Sequence, residues 1–213
     1  MTEPSSTKRG PKPNPNTRSN LVQAGLRAIH EGGYAATGIQ VIVDGADVPK
    51  ASFYNYFDSK EAFGAEVIDA YFARSEATLR RFLCDKQVPP IERLEAYFDD
   101  RIEALRTMGF AKGCLLGNFS AEAVDHSALL RDRVAAQFGA WSRFFEDCVA
   151  QAQQQGAIGG QFSASALGRF LLNSWEGALL RMRAEKSDAA LLEFKEIIFG
   201  GLLAAPGNAA GGD

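Results

Sequence analysis

The chain has 213 residues, 46% of them hydrophobic and 23% charged, the mix of an ordinary globular protein rather than a disordered or fibrous one. That length suits one domain, or a small domain joined to a larger one. With 23 Lys and Arg against 26 Asp and Glu the net charge is -3, which taken alone argues against a dedicated nucleic-acid binder.

Residues 1–16 carry four of the eight prolines together with Lys8, Arg9 and Lys12. They have too little apolar surface to fold alone and read as a flexible basic arm, either a solvated tail or a segment that tracks phosphates or a minor groove. The apolar face Leu21, Leu26, Ile29 predicts a helix from about Thr17 to Glu31, stopped by Gly32-Gly33. A short helix over Gly38–Asp44 carries Ile39, Ile42 and Val43. Ala46-Asp47-Val48-Pro49 reads as a tight turn into a second short helix, Lys50–Phe57. Asp58 and Glu61 have capping-box spacing and open a helix to about Leu83. Further helices are expected from Pro89-Pro90 to Met108, from about Gly113 to Val124, over Ala128–Gln155 behind Ser127, over 164–186 behind Ser163, and over 189–203. The Ala-Gly-rich end, 204–213, should fray. No segment alternates with period two, so the fold class is all-α.

The N-terminus has no apolar leader and no run approaches the ~18 apolar residues of a membrane span. Cys84, Cys114 and Cys148 form no CxxC pair. A cytoplasmic protein with reduced thiols, no metal, no cofactor and no membrane partner is expected. No Ser/His/Asp set or phosphate loop is evident, so an enzyme is not expected.

Two short helices joined by a tight turn, behind a first helix, make a helix-turn-helix, whose second helix enters the major groove of DNA. Ile39, Ile42, Val43, Val48, Phe53 and Phe57 would form its core. Lys50, Ser52, Tyr54, Asn55 and Tyr56 would face outward, with donors and rings sized for phosphates and base edges. The spacing alone also fits an all-α scaffold, or a small-molecule-binding protein, that never touches DNA. The charge agrees with a division of labour. Residues 1–60 hold seven Lys or Arg against five acids, residues 61–213 hold 16 against 21, so the basic excess lies in the arm and the helix-turn-helix.

Gly33-Tyr-Ala-Ala-Thr-Gly-Ile-Gln-Val-Ile42, followed by Ala46-Asp-Val-Pro-Lys-Ala-Ser-Phe-Tyr-Asn-Tyr-Phe-Asp-Ser-Lys60, resembles the DNA-binding signature of TetR-family transcriptional regulators over about residues 17–65. Gly38 stands where the family usually has Ser or Thr, and Asp47, Pro49 and Ala51 stand for its common Gly, Ser and Gly. The resemblance implies an N-terminal three-helix DNA-binding domain (17–62) on a larger helical domain for effector binding and dimerisation (63–203). It implies that Tyr54, Tyr56 and Lys60 hold phosphates, and that Thr37 and Gly38 begin a helix whose amides face a phosphate. Gln40, Lys50, Ser52 and Asn55 lie at the groove, with Ala51 beside them. The implied partners are a pseudo-palindromic double-stranded operator, a second copy of the chain and a small-molecule effector.

Lys112-Gly-Cys-Leu-Leu-Gly-Asn-Phe-Ser-Ala-Glu122 and Asn173-Ser-Trp-Glu-Gly-Ala-Leu-Leu-Arg-Met-Arg183 are similar to a branch of repressors responding to acrylate and to N-ethylmaleimide-type electrophiles. The branch implies a small electrophilic or carboxylate-bearing effector near Cys114, Asn118, Trp141, Trp175 and Glu176. Cys114 is then either a thiolate activated by Lys112 and a helix N-terminus or a packed core residue. Glu176 would repel an anion unless it pairs with Arg181 or Arg183 or is protonated. Leu167, Phe170, Leu171, Leu191, Phe194 and Ile198 are the implied dimer contacts.

Overall fold

The computed structural model describes residues 16–204. Lys8, Arg9, Lys12 and the end of the chain from 205 lie outside them. Among the described residues every regular element is a helix: α1 (Thr17–Gly32), α2 (Ile39–Gly45), α3 (Lys50–Tyr54), α4 (Lys60–Leu83), α5 (Pro90–Thr107), α6 (Leu115–Glu122), α7 (Ala128–Gln154), α8 (Ala164–Glu185) and α9 (Ala189–Ile197), which runs into a π turn, Ile198–Leu202. None of these helices is long and apolar enough to cross a membrane.

The first three helices and the start of α4 form one small unit. Phe53, Phe57 and Phe63 stack with centroids 4.9–5.2 Å apart, and Leu21, Ile29, Ile42 and Val43 close around them with at most 1% exposure. Gly25 of α1 is where α4 comes nearest, since a Cβ there would stand 2.3 Å from the Phe63 ring. Gly33 ends α1 with φ 86° and donates its N–H to the Ile29 carbonyl.

Two local expectations change. α4 is capped by Ser59, whose Oγ accepts the Ala62 N–H at 3.0 Å. Asp58 lies one residue too far out, because the cap must directly precede the first helical residue, Lys60. α3 stops at Tyr54 rather than Phe57, and Tyr56 and Phe57 both donate their N–H groups to the Phe53 carbonyl in a closing turn. Ser127 and Ser163 do cap α7 and α8.

α4 continues from this head into the larger body, where Leu79 and Leu83 are buried. α7 and α8 pack along each other so closely that a Cβ on Gly168 would lie 2.7 Å from the Glu146 backbone nitrogen. Phe98, Trp175 and Phe194 fill the centre with centroids 4.9–5.4 Å apart.

Asp47 sits in the turn between α2 and α3 at φ 54°, left-handed backbone in which a Cβ is crowded. Its N–H reaches the Asp44 carbonyl at 3.2 Å, so the turn keeps its geometry. Asp47→Gly is therefore expected to raise stability by about 0.5–1 kcal/mol, the relief of left-handed strain exceeding glycine's added unfolded-state freedom. A higher urea midpoint at unchanged slope would show it.

Candidate DNA-reading surface and ligand cavity

The outward face of the helix-turn-helix is built by subtraction. Ile42, Val43 and Phe53 turn inward, which leaves Gln40, Lys50, Ala51, Tyr54 and Asn55 exposed. Ser52 and Tyr56 are half-buried, and Tyr54 is 55% exposed even though its ring meets Phe53 edge-on. Gly38 is the extended residue before α2, with open space where a Cβ would be. The sequence reading passed over Val41, an apolar side chain 54% exposed on the same side. Its place between the inward Ile42 and the exposed Gln40 was the available signal.

Two residues spend their polar groups within the protein. Thr37 is buried and its hydroxyl donates to the Gly33 carbonyl at 2.6 Å, so only its backbone can meet a phosphate. Lys60 donates from Nζ to the Tyr34 carbonyl at 2.7 Å and lies 4.5 Å from the centre of the Tyr34 ring. A phosphate would have to share an ammonium that already holds the α1–α2 turn. Gln40 donates to Asp44 at 2.7 Å, a bond between exposed side chains that a base edge can displace.

The same turn is gripped from the body. Glu122, at the C-terminal end of α6, accepts the Ala35 N–H at 3.0 Å. Its carboxylate lies so close to Gly33 that any Cβ there would stand 2.7 Å from it. Just before α6, the Gly113 carbonyl meets His30 Nε2 at 2.7 Å, and Lys112 pairs with Glu31 at 3.0 Å. A carbonyl only accepts, so Nε2 carries the proton of a neutral ring, and burial lowers the His30 pKa in agreement. α6 thus touches the head at both ends. Contacts over 80 or so residues of sequence separation leave no local pattern to find, and neither His30 nor Glu122 was singled out from sequence.

Against α6 lies a cavity of about 400 Å³, walled by α1, α4, α5, α7 and α8. Cys114, Trp141, Trp175 and Glu176 all line it. Asn118 does not: its Oδ1 accepts from Arg183 at 3.2 Å outside the cavity. Beside Lys112, Arg27, Arg74 and Arg101 also contribute to the lining, cations the sequence reading missed.

Cys114 is 6% exposed, as the packed alternative has it, and lacks the lowered pKa that the activated alternative requires. Burial pushes its thiol pKa well up, the neighbouring Glu176 adds to the rise, and the opposing Gly117 N–H does not offset them. Lys112 is engaged with Glu31, and the Tyr71 hydroxyl donates to the thiol sulfur over 3.8 Å. Glu176 pairs with neither arginine considered for it: Arg181 holds Glu185 and Glu193, and Arg183 holds Asn118. Its Oε1 is buried without a hydrogen-bond partner, and desolvation raises the carboxyl to about 7. Trp141 is 6% exposed and its Nε1 also lacks a hydrogen bond of normal geometry.

Of the implied dimer contacts, Leu167, Leu171, Leu191, Phe194 and Ile198 are at most 6% exposed within the single protomer. Phe170 is 51% exposed, and Leu180, Leu192 and Ile197 are the outward apolar residues near it on α8 and α9.

The raised Glu176 pKa fixes a pH dependence. Its folded value of about 7 exceeds the ordinary 4.5, so the folded state binds more protons across that interval and loses stability as pH rises through it. Glu176→Gln should be more stable than wild type above pH 7 by roughly 2–3 kcal/mol, the advantage fading toward pH 4.5. Urea unfolding at several pH values measures it.

The chain matches two family models, "Bacterial regulatory proteins, tetR family" over residues 21–67 and "Tetracyclin repressor-like, C-terminal domain" over residues 90–198. It is 38% identical to the HTH-type transcriptional repressor DhaR of Mycobacterium sp. (strain GP1), over 90% of this chain and 94% of that one. It is 34% identical to the transcriptional regulator AcuR of Cereibacter sphaeroides, over 78% and 76%. The crystal structure of a regulatory protein TetR from Rhodobacter sphaeroides superposes with a TM-score of 0.79 at 30% identity, covering 85% of this chain and 96% of that one. The head carrying Lys50–Lys60, the helical body behind it and these likenesses lead to one statement: the chain belongs to the TetR family of bacterial transcription regulators.

Proposed function

We propose that the protein is a homodimeric repressor that leaves a pseudo-palindromic operator when a small acid with a short apolar body enters the cavity. The observation that carries this reading is the position of α6 and the segment leading into it: Lys112–Cys114, directly before α6, line the cavity and hold His30 and Glu31 of the reading head, and Glu122 at the far end of α6 holds Ala35. A ligand that binds better with α6 displaced shifts the head, and only such a differential affinity can move the equilibrium. The proposed domains follow that division, with 17–62 reading DNA and 63–203 binding effector and partner.

The acid is favoured over an electrophile by the lining. Trp141 and Trp175 offer an apolar wall, and Arg74 makes no ion pair among the described residues. The buried, protonated Cys114 is a poor nucleophile, because the thiolate is the reactive form. Repression is also what the name of the similar DhaR states for that protein.

On DNA, the α3 surface would enter the major groove, with Tyr54, Tyr56 and Lys60 on phosphates, Lys50, Ser52 and Asn55 toward base edges, and Val41 free to meet a thymine methyl. Two heads at a fixed spacing need the second copy. Phe170 and Leu180, ten residues apart on the exposed stripe of α8 with Asn173 and Gly177, would form the seam with Leu192 and Ile197 of α9.

The test is selection of an operator from random duplex DNA, followed by anisotropy titrations at several salt concentrations. Wild type should bind with a steep salt dependence. Asn55→Ala is expected to cost about 1–3 kcal/mol and relax the preference at one base step. No selected sequence, or a salt-independent affinity, would end the DNA-binding reading. In the same assay Leu180→Glu should shift the protein toward monomer on sedimentation and weaken operator binding at least tenfold, as loss of the paired half-site requires.

A further inference from the structure

A second cavity, of about 440 Å³, opens between the end of α4 and the middle of α7, away from the effector cavity. Its lining holds four cationic side chains, Arg80, Lys86, Arg93 and Arg143, against two carboxylates, Glu76 and Asp147. Glu76 is neutralised by Arg80 at 2.6 Å. Arg93 is 3% exposed; its two terminal nitrogens donate to the Leu83 carbonyl and to Gln151 at 2.7 Å, while its Nε is buried with no partner. The guanidinium of Arg93 thus adds its positive charge to the cavity wall from a buried position, where low dielectric strengthens its attraction for an anion. Phe72 and Phe144 supply apolar surface beside it. The exposed Cys84 completes the lining, in contrast to the buried Cys114 and Cys148.

We propose that this cavity is a site for a small organic anion carrying a disulfide, with Cys84 as the thiol it modifies. The cationic lining, with Lys86 and Arg143 at its exposed side, holds the anionic group, and the Cys84 thiolate attacks the nearer sulfur. A new S–S bond forms, the old one breaks, the distal half leaves as a thiolate, and the thiol proton passes to solvent. Cys114 takes no part, being enclosed in the other cavity.

The test uses the full chain and two chromogenic disulfides, dithiobis-nitrobenzoate, with a carboxylate on each ring, and uncharged dithiodipyridine. One thiol per chain should react in a fast phase that Cys84→Ser removes and Cys114→Ser leaves intact. In the double variant Lys86→Ala, Arg143→Ala, both exposed positions, the rate with the anionic reagent should fall by about fivefold while the rate with the neutral one stays within about twofold. Helical circular dichroism checks that each variant is folded. A fast phase surviving in Cys84→Ser, or equal slowing of both reagents, overturns the proposal.

Discussion

The α1–α2 turn is held by two opposite charges, and the relation between head and body rests on them. Lys60 binds its carbonyls at Tyr34 and Ala35 from the head side. Glu122 binds its amide at Ala35 from the body side. Lys60 and Glu122 also feel one another, since the Glu122 charge opposes the fall that burial imposes on the Lys60 ammonium. Gly33 is required by its positive φ, and the Glu122 carboxylate lies against it where a Cβ would stand 2.7 Å away. A shift of α6 cannot leave this turn unmoved, and the turn leads directly into α2.

The other end of α6 meets unfinished chemistry. Glu176 Oε1 and Trp141 Nε1, on residues lining the cavity, are buried without hydrogen bonds of normal geometry, and buried polar groups left so are destabilising by about 1–3 kcal/mol each. Glu176 Oε2 also lies where a Cβ on Gly117 would fall, 2.8 Å away, so the carboxyl and the first turn of α6 are in near contact. In the proposed mechanism, occupancy would be read just before an eight-residue helix and reported at its far end.

Much of this was legible from sequence, for identifiable reasons. Helix caps are local chemistry, and Ser127 and Ser163 act as read. The head's core follows from apolar spacing over some forty residues, so Ile42, Val43, Phe53 and Phe57 fall inside. Spacing fails where both faces of a helix are apolar: it could not tell the buried Leu167 and Leu171 from the exposed Phe170 and Leu180. Electrostatic environment was the least legible. A lysine two residues from Cys114 looked activating, but Lys112 turns to Glu31 while burial and Glu176 raise the thiol. The long-range pairs His30–Gly113 and Ala35–Glu122 had no sequence signal at all.

The central claim is that the cavity and the reading head are coupled through α6, and Gly117→Ala tests it without any effector. The added methyl would stand 2.8 Å from Glu176 Oε2, so either the carboxyl group or the first turn of α6 must give way, and in the proposed mechanism an occupant would disturb the same contact. Affinity for the selected operator, measured by anisotropy on protein whose helical circular dichroism and dimeric state are unchanged, is expected to fall by about tenfold or more, a coupling of roughly 1–3 kcal/mol. Unchanged operator affinity in that folded variant would contradict the account.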